Sequence, residues 1–206
     1  MADEEVPFAF QYTVKVQGAD GKEVTETRNS NAPFTYNEKK EAIPYTGEAV
    51  VRYTNRDTYE GGYADGKKHG KGTYRYFATT DRYDGQWENG MKHGIGKMQY
   101  FGKGREGEYH GYWENDRRHG EGVFTYKNGD IYSGWWKYGA KTGKGTFIAK
   151  ETGMKMVGDW ENGEIVTGQW VYPNGLYYKG TFKGNKPTGE GTWFCKNGNV
   201  VQGSFE

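Results

Sequence analysis

The sequence predicts an all-β fold, in which about six β-hairpins form an elongated, single-layer antiparallel meander behind a short β-rich N-terminal segment. The first observation is composition: the 206 residues include 34 Gly, 18 Tyr, 10 Phe and 7 Trp. Leu occurs only at position 176, so the side chains that fill helical bundles are missing. The second observation is a motif that recurs along most of the chain. The third is the spacing of Asn-Gly and Asp-Gly dipeptides, which are typical of tight hairpin turns. The aromatic content and a net charge of +1 exclude a disordered chain.

Residues 1–46 lack the motif and form the predicted N-terminal segment. Residues 18–21 are expected to turn the chain, residues 22–28 to return as a second strand, and residues 29–44 to form a loop. A first strand is predicted from apolar residues that alternate with polar ones, namely Phe8, Phe10, Tyr12, Val14 and Val16. The terminal hairpin of a repeat array needs a cover. We therefore expect a cap, and a separate partner-docking arm is the alternative.

Residues 47–206 carry the repeat, which is clearest in residues 83–96: Tyr-x-Gly-x-Trp, a turn, and then His-Gly-x-Gly. Its copies are 24, 26, 23, 24, 22 and 23 residues apart and begin at Tyr59, Tyr83, Tyr109, Tyr132, Met156, Tyr178 and Val201. The Tyr, Gly and Trp of a copy are two residues apart, so they share one face of a strand. Each copy is thus one predicted hairpin. About 13 strands at ~4.8 Å each would make a sheet about 60 Å long.

Glycine and rings are predicted to pack together on one face of this sheet. A glycine opposite a ring leaves a slot in which the ring can lie flat. Rings that stack from copy to copy would replace the second layer that a sheet normally needs. The opposite face is predicted to be solvated, because it carries polar side chains such as Glu60, Asp84, Gln86, Glu88 and Glu114.

The pattern Tyr-x-Gly-x-Trp-x-x-Gly-x-x-His-Gly-x-Gly resembles the MORN repeat family over residues 47–206. Residues 151–163 and 185–191 are more particularly similar to the MORN proteins of the ciliary radial-spoke head. Copies four to six depart from the pattern, since Thr142, Val166 and Thr188 replace the His and Met156 replaces the opening Tyr. The resemblance implies a non-catalytic scaffold that assembles with other radial-spoke head subunits. A membrane-tethering role, also proposed for MORN proteins, is the alternative, and a third is an adaptor for a soluble signalling protein.

The residues that could carry chemistry do not form a site in sequence. Residues 102–107 match the dinucleotide fingerprint G-x-G-x-x-G, but the next strand follows where a helix is needed, so a loop is expected. His69, His93 and His119 recur two strands apart, about 9–10 Å, which is too far for one zinc ion. They are expected to stabilise turns through backbone hydrogen bonds. Cys195 has no His in its copy. We predict no enzyme, no metal, no cofactor and no nucleic-acid binding.

The first candidate working surface is the aromatic face of the repeat. Intramolecular stacking accounts for part of it, but a single layer leaves the outer side of the rings uncovered, and such patches mark docking sites. An extended peptide or a second copy of the protein would occupy it. The predicted partner-binding residues are Tyr59, Tyr63, Tyr83, Trp87, Tyr109, Trp113, Tyr132, Trp136, Trp160, Tyr178 and Phe182.

The second candidate surface is a basic hairpin edge, formed by Lys67, Lys68, Lys92, Arg117, Arg118 and Lys141. It is either a solvated edge that prevents aggregation or a site for acidic protein tails or anionic membrane lipid. The chain has no apolar stretch long enough to span a membrane and begins with an acidic segment. We therefore expect a cytoplasmic protein, and the resemblance to radial-spoke MORN proteins implies a cytoskeletal location in the axoneme of the cilium or flagellum.

Overall fold

The computed structural model describes residues 9–17, 23–30, 33–36, 39 and 41–205. Within these residues all regular secondary structure is β, and no helix could cross a membrane. The strands are β1 (Ala9–Gln17), β2 (Glu23–Ser30), β3 (Phe34–Tyr36), β4 (Ala42–Pro44), β5 (Gly47–Arg52), β6 (Thr58–Ala64), β7 (Lys67–Arg75), β8 (Arg82–Glu88), β9 (Met91–Tyr100), β10 (Gly107–Glu114), β11 (Arg117–Tyr126), β12 (Ile131–Lys137), β13 (Ala140–Ile148), β14 (Lys155–Glu161), β15 (Glu164–Val171), β16 (Tyr177–Lys183), β17 (Lys186–Phe194) and β18 (Val200–Phe205).

Sixteen strands form one open antiparallel sheet, in the order β2-β1-β5-β6 and then consecutively to β18. This meander confirms the predicted fold class, because each repeat copy is a hairpin that pairs with the next. Six hairpins run from β6/β7 to β16/β17, and β18 is the opening strand of the seventh copy. Packing divides the chain into a first unit of residues 1–104 and a second unit of residues 105–206.

The turns within the hairpins have the geometry that the Asn-Gly and Asp-Gly dipeptides predict. Asn89 and Gly90 have φ angles of 51° and 87°, and Asn162 and Gly163 have 49° and 95°. Two successive positive φ values match the twist of the flanking strands, and Asn and Gly adopt them at little cost. These dipeptides therefore fix where each hairpin reverses.

A register shift interrupts the ladder of each of the six hairpins. In five of them it comes just after the glycine of the Tyr-x-Gly motif, for example between Gly85 and Gln86, and in β14/β15 it comes one residue later, between Asp159 and Trp160. Such a β-bulge places an extra residue on one strand and leaves backbone groups without a ladder partner. The sequence pattern had not revealed this bulge.

The N-terminal strands pair directly with the repeat array. β1 pairs with β2, which confirms the predicted return strand, and its other edge pairs with β5. The ring of Phe10 is fully buried and contacts Tyr45 and Tyr63 at centroid distances of 5.3 and 5.0 Å. Phe8, residues 18–21 and the side chains of Val14 and Val16 lie outside what the structure describes. The proposed domain division after residue 46 stays a prediction.

The loop predicted for residues 29–44 is wrong in part, because β2 extends to Ser30 and residues 34–36 and 42–44 form a two-stranded sheet, β3/β4. Phe34 pairs with Pro44 and Tyr36 with Ala42. Pro44 ends β4, and a proline at the end of a short edge strand removes no essential hydrogen bond.

The hydrophobic core consists largely of rings. In the first unit the most buried side chains include Phe10, Val51, Tyr59 and Tyr83, each 0% exposed. In the second unit they are Tyr109, Tyr132, Ile165 and Tyr178, also 0% exposed, and Trp160 at 2%.

Candidate functional site

The opening tyrosine of a repeat copy lies flat over a pair of glycines. We number the positions of each copy from this residue, so that Tyr83 is position 1 and Gly85 position 3. A Cβ atom at Gly85 or at its cross-strand partner Gly96 would lie 2.5 or 2.2 Å from the Tyr83 hydroxyl. The predicted slot is therefore confirmed, since no other residue type leaves space for the phenol ring.

The hydroxyl of this tyrosine also donates a hydrogen bond to the backbone beside the bulge. Tyr83 Oη donates a hydrogen bond of 2.9 Å to the carbonyl oxygen of Gln86, the residue that follows the register shift. Tyr59, Tyr109, Tyr132 and Tyr178 make the equivalent bond to position 4 of their own copies, at 2.9, 2.9, 3.2 and 3.3 Å. Burial raises the pKa of Tyr59, Tyr132 and Tyr178 above the usual tyrosine value. These phenols stay protonated and continue to donate.

The ring at position 5 ties each hairpin to the one before it. Trp87 Nε1 donates to the Gly72 carbonyl at 3.1 Å, and the Trp87 ring packs edge-on against Tyr59 at 5.3 Å. In the second unit Trp136 and Trp160 donate in the same way to the Gly122 and Gly145 carbonyls. Each of these three Trp residues therefore closes the ring cluster of the preceding copy.

A side chain at position 10 covers this ring cluster. Lys68 Nζ lies 4.1 Å from the centroid of Trp87 and 4.6 Å from that of Tyr74. Arg118 lies 4.3 Å from Trp136, and its guanidinium donates to the Gly139 carbonyl at 2.7 Å. Lys141 Nζ has four rings around it, at 5.0–5.5 Å, namely Tyr126, Tyr132, Phe147 and Trp160. These cation–π contacts exploit the negative face of the rings.

The copy that begins at Met156 has a different type of side chain at position 10. Position 10 is Ile165, which is fully buried, and the copy after it has Pro187 there. An apolar side chain thus replaces the cation in the last two copies. The fourth copy departs from the sequence pattern at Thr142 but keeps its cation, Lys141.

The eleven predicted partner-binding rings all lie in this core, and each is at most 7% exposed. Their observed contacts are with rings, glycines and cations of the chain itself. That they also bind a partner stays a prediction.

The six residues of the predicted basic edge fall into two groups. Lys67 and Arg117 are exposed, whereas Lys68, Lys92, Arg118 and Lys141 lie over the rings. Neighbouring residues of a strand point to opposite faces. The members of the pairs Lys67-Lys68 and Arg117-Arg118 therefore do not share one edge, contrary to what had been predicted.

The opposite side of the sheet, which we call the open face, is mainly polar in the first unit, although Ile95 is 49% exposed on it. A groove on it is lined by residues that include Glu60, Lys71, Arg75 and Gln86. Arg82 Nε lies 2.7 Å from Asp84 Oδ2, and the Thr73 hydroxyl donates to Asp84 Oδ1 at 2.5 Å. Burial opposes ionisation of Asp84, but these two partners hold its pKa below the usual value. This part confirms the predicted solvated face.

In the second unit the open face is more apolar than predicted. Tyr112 and Trp135 are each 49% exposed, and Val123 and Val157 are each 39% exposed. Lys144 and Asp159 form an ion pair of 2.8 Å beside them. These residues were not predicted from the sequence, because the face was taken as uniform. The signal was available, since position 4 differs in every copy: Gly62, Gln86, Tyr112, Trp135, Asp159 and Thr181.

The other predicted residues have structural contacts. Gly107 begins β10, so the glycine-rich segment precedes a strand as expected. His93 and His119 pair with Glu88 and Glu114 of the same hairpin at 3.3 and 3.2 Å, so a carboxylate is their partner where backbone was expected. Cys195 follows β17, and its backbone N–H bonds to the Asn199 carbonyl.

Comparisons with known proteins agree with the hairpin pattern. The MORN repeat model matches residues 59–77, 83–105, 109–131, 132–150 and 178–200, and leaves out the copy that begins at Met156. A comparison with curated proteins found no match to the chain.

Two similar solved structures are the TCP domain of Drosophila melanogaster SAS-4 (dCPAP), in complex with a proline-rich motif of Ana2, and the TCP10 domain of Danio rerio CPAP, in complex with a peptide of STIL. The first has a TM-score of 0.36 and 12% identity over 94% of this chain and 90% of that one. The second has a TM-score of 0.31 and 10% identity over 94% of this chain and 99% of the other. Since the MORN repeat model covers more than half of the residues, the chain belongs to the MORN repeat family.

Proposed function

We propose that this protein is a non-catalytic scaffold that docks protein partners, as a subunit of the radial-spoke head of motile cilia or flagella. Membership of the MORN repeat family supports the scaffold. The similarity of residues 151–163 and 185–191 to radial-spoke MORN proteins supports the setting. Within each unit, consecutive hairpins present their docking positions at a regular spacing, which suits an assembly that transmits mechanical contact.

The observation that carries the docking role is the difference between the two faces of the second unit. One face uses its rings internally, and these are nearly fully buried. The other face leaves Tyr112, Val123, Trp135 and Val157 substantially exposed. A surface that exposes large apolar side chains beside charged ones is typical of a docking site.

The same contacts weigh against membrane tethering through the basic edge. Four of its six cations are engaged with rings of their own chain, so transfer to lipid headgroups would remove those cation–π contacts. Lys67 and Arg117 alone supply little attraction, at about 1 kcal/mol per cation near an anionic membrane.

Fractionation of ciliated cells that express the tagged protein tests the proposal. We expect the protein in purified axonemes and its retention there after detergent removes the ciliary membrane. Release together with the membrane would favour the tethering role. Absence from axonemes, with the protein present elsewhere in the cell, would contradict the radial-spoke assignment.

A further inference from the structure

We propose that Tyr112, Glu121 and Trp135 form a site on the open face of the second unit that binds an arginine side chain of an extended protein segment. This inference rests on the docking function proposed above and identifies the surface and the chemistry of its partner. We call the three residues the open-face triad.

The backbone places the triad side by side. Glu121 lies on β11, between β10, which carries Tyr112, and β12, which carries Trp135. Glu121 pairs directly with Trp135, and its neighbour Gly122 pairs with Gly111, the residue before Tyr112. Adjacent strands are about 4.8 Å apart, so one carboxylate stands between two rings that are roughly 9–10 Å apart at the backbone. That separation leaves room for one planar group between the rings.

The two rings occupy the position of the repeat that is free to vary. Position 4 follows the bulge and points away from the ring core. Glycines with positive φ lie opposite it: a Cβ at Gly120 would lie 3.3 Å from Tyr112 Cβ, a tight contact, and one at Gly143 would lie 3.6 Å from Trp135 Cβ, an ordinary contact. The hairpin therefore presents the position-4 side chain without using it for folding.

Other side chains at position 4 are satisfied within the chain. Gln86 Oε1 accepts from Ile95 N–H at 2.8 Å, the Thr181 hydroxyl donates to the Thr188 carbonyl, and Asp159 pairs with Lys144. Tyr112 and Trp135 differ. Among the residues that the structure describes, neither side chain makes a hydrogen bond or a ring contact, and each is half exposed. These two rings are available to a partner.

Charge identifies the occupant. Glu121 is exposed and has no ion pair or hydrogen bond with the described part of the chain. The nearby cation on this face, Lys144, is held by Asp159, whose pKa this contact lowers below the usual aspartate value. A carboxylate between two exposed rings attracts a cation that also stacks on aromatic faces. Arginine fits best, because its planar guanidinium stacks and bonds a carboxylate in a bidentate manner.

The test uses the full-length protein labelled with ¹⁵N and three synthetic peptides, with the alternating sequences Thr-Arg, Thr-Lys and Thr-Gln in three repeats. Binding is followed through the indole N–H signal of Trp135, which the variant Trp135→Phe assigns. We expect the arginine peptide to shift this signal and to bind about tenfold more weakly to Glu121→Gln, since a charged hydrogen-bonded pair is lost. The lysine peptide should bind more weakly than the arginine peptide. Retained indole signals of buried Trp136 and Trp160 show that each variant is folded.

Tyr138→Ala is the matched control, because Tyr138 is an aromatic residue of the same unit that is 64% exposed but lies in a hairpin turn. It should leave binding unchanged. Equal binding of the glutamine peptide, equal binding of the lysine and arginine peptides, or full binding by Glu121→Gln would each overturn the arginine site.

A second arm separates this site from the scaffold proposal. If Glu121→Gln still enters axonemes while failing to bind the arginine peptide, the triad binds as proposed and axonemal assembly uses further contacts. If the wild type binds the peptide but is absent from axonemes, the radial-spoke assignment fails and the triad stands.

Discussion

Glycine at position 3 and tyrosine at position 1 act as one unit at the scale of single residues. The glycine pair lets the phenol lie on the backbone, and the phenol hydroxyl bonds the carbonyl of the residue that follows the register shift. An intramolecular hydrogen bond of this kind contributes about 0.5–1.5 kcal/mol. The sequence predicts the slot from residue spacing. It could not predict the hydrogen bond, because a β-bulge leaves no period in the pattern.

Gly85→Ala tests the slot. The new Cβ would lie 2.5 Å from both the Gly96 Cα and the Tyr83 hydroxyl, so backbone and ring must move apart. We expect the free energy of unfolding to fall by about 1–3 kcal/mol, as for an overpacked core, or more if the Tyr83 hydrogen bond is lost. Urea denaturation followed by tryptophan fluorescence measures it.

Gly203→Ala is the control, because Gly203 occupies the same position in the seventh copy and an added Cβ meets nothing within 4 Å. It should change stability by less than about 0.5 kcal/mol. If the two variants were equally stable, the slot would not be what selects glycine.

At the scale of the hairpin, the residue at position 10 contacts both the ring cluster and the turn of the next hairpin. Its side chain covers the rings, and its carbonyl accepts a hydrogen bond from the turn glycine of the next hairpin, as from Gly90 N–H to the Lys68 carbonyl at 2.9 Å. Gly163 N–H bonds the Lys141 carbonyl in the same way in the second unit. Neighbouring hairpins are therefore joined by backbone as well as by rings.

Lys68→Ala and Lys67→Ala form a matched pair for this link. The two residues are adjacent in β7, but Lys68 lies over Trp87 and Tyr74 while Lys67 is exposed. We expect Lys68→Ala to lower the free energy of unfolding by about 1–2 kcal/mol, because cation–π contacts and the packing of the lysine stem are lost. Lys67→Ala should change it by less than about 0.5 kcal/mol. Urea titrations of both variants measure the difference, and equal losses would contradict the assigned role of Lys68.

The sequence predicted the hairpins better than their surfaces. The Asn-Gly and Asp-Gly turns have a local cause, namely positive φ, and their positions were correct. Adjacent residues of a strand point to opposite faces, so only one cation of each pair lies over the rings. The sequence prediction did not separate them and grouped Lys68 and Arg118 with Lys67 and Arg117. Tyr112 and Trp135 were missed for a different reason, since the repeat pattern drew attention to shared positions, while the proposed arginine site uses a varied one.

At the scale of the whole molecule, strand order follows from the repeat, but its N-terminal end does not. A meander of consecutive hairpins has a single simple order, so β6 to β18 could be predicted from turn spacing. The pairing of β1 with β5 bridges residues 9–12 and 49–52, and β3/β4 fills part of the interval. No local signal specifies such a contact. The pairing of β1 with β5 depends instead on the packing of the Phe10 ring against Tyr12, Tyr45 and Tyr63.

Phe10→Ala distinguishes a cap from a docking arm. Phe10 is fully buried and pairs with Val51 of β5, so its loss should cost about 3–5 kcal/mol in packing. If β1 covers the array, amide hydrogen exchange should accelerate in β5 and β6, because their protection depends on β1 remaining paired. Gln11→Ala is the control: Gln11 is exposed on the same strand and should leave this exchange unchanged. Unchanged exchange of β5 amides in Phe10→Ala would instead identify residues 1–46 as an arm that the repeats do not need for their own stability.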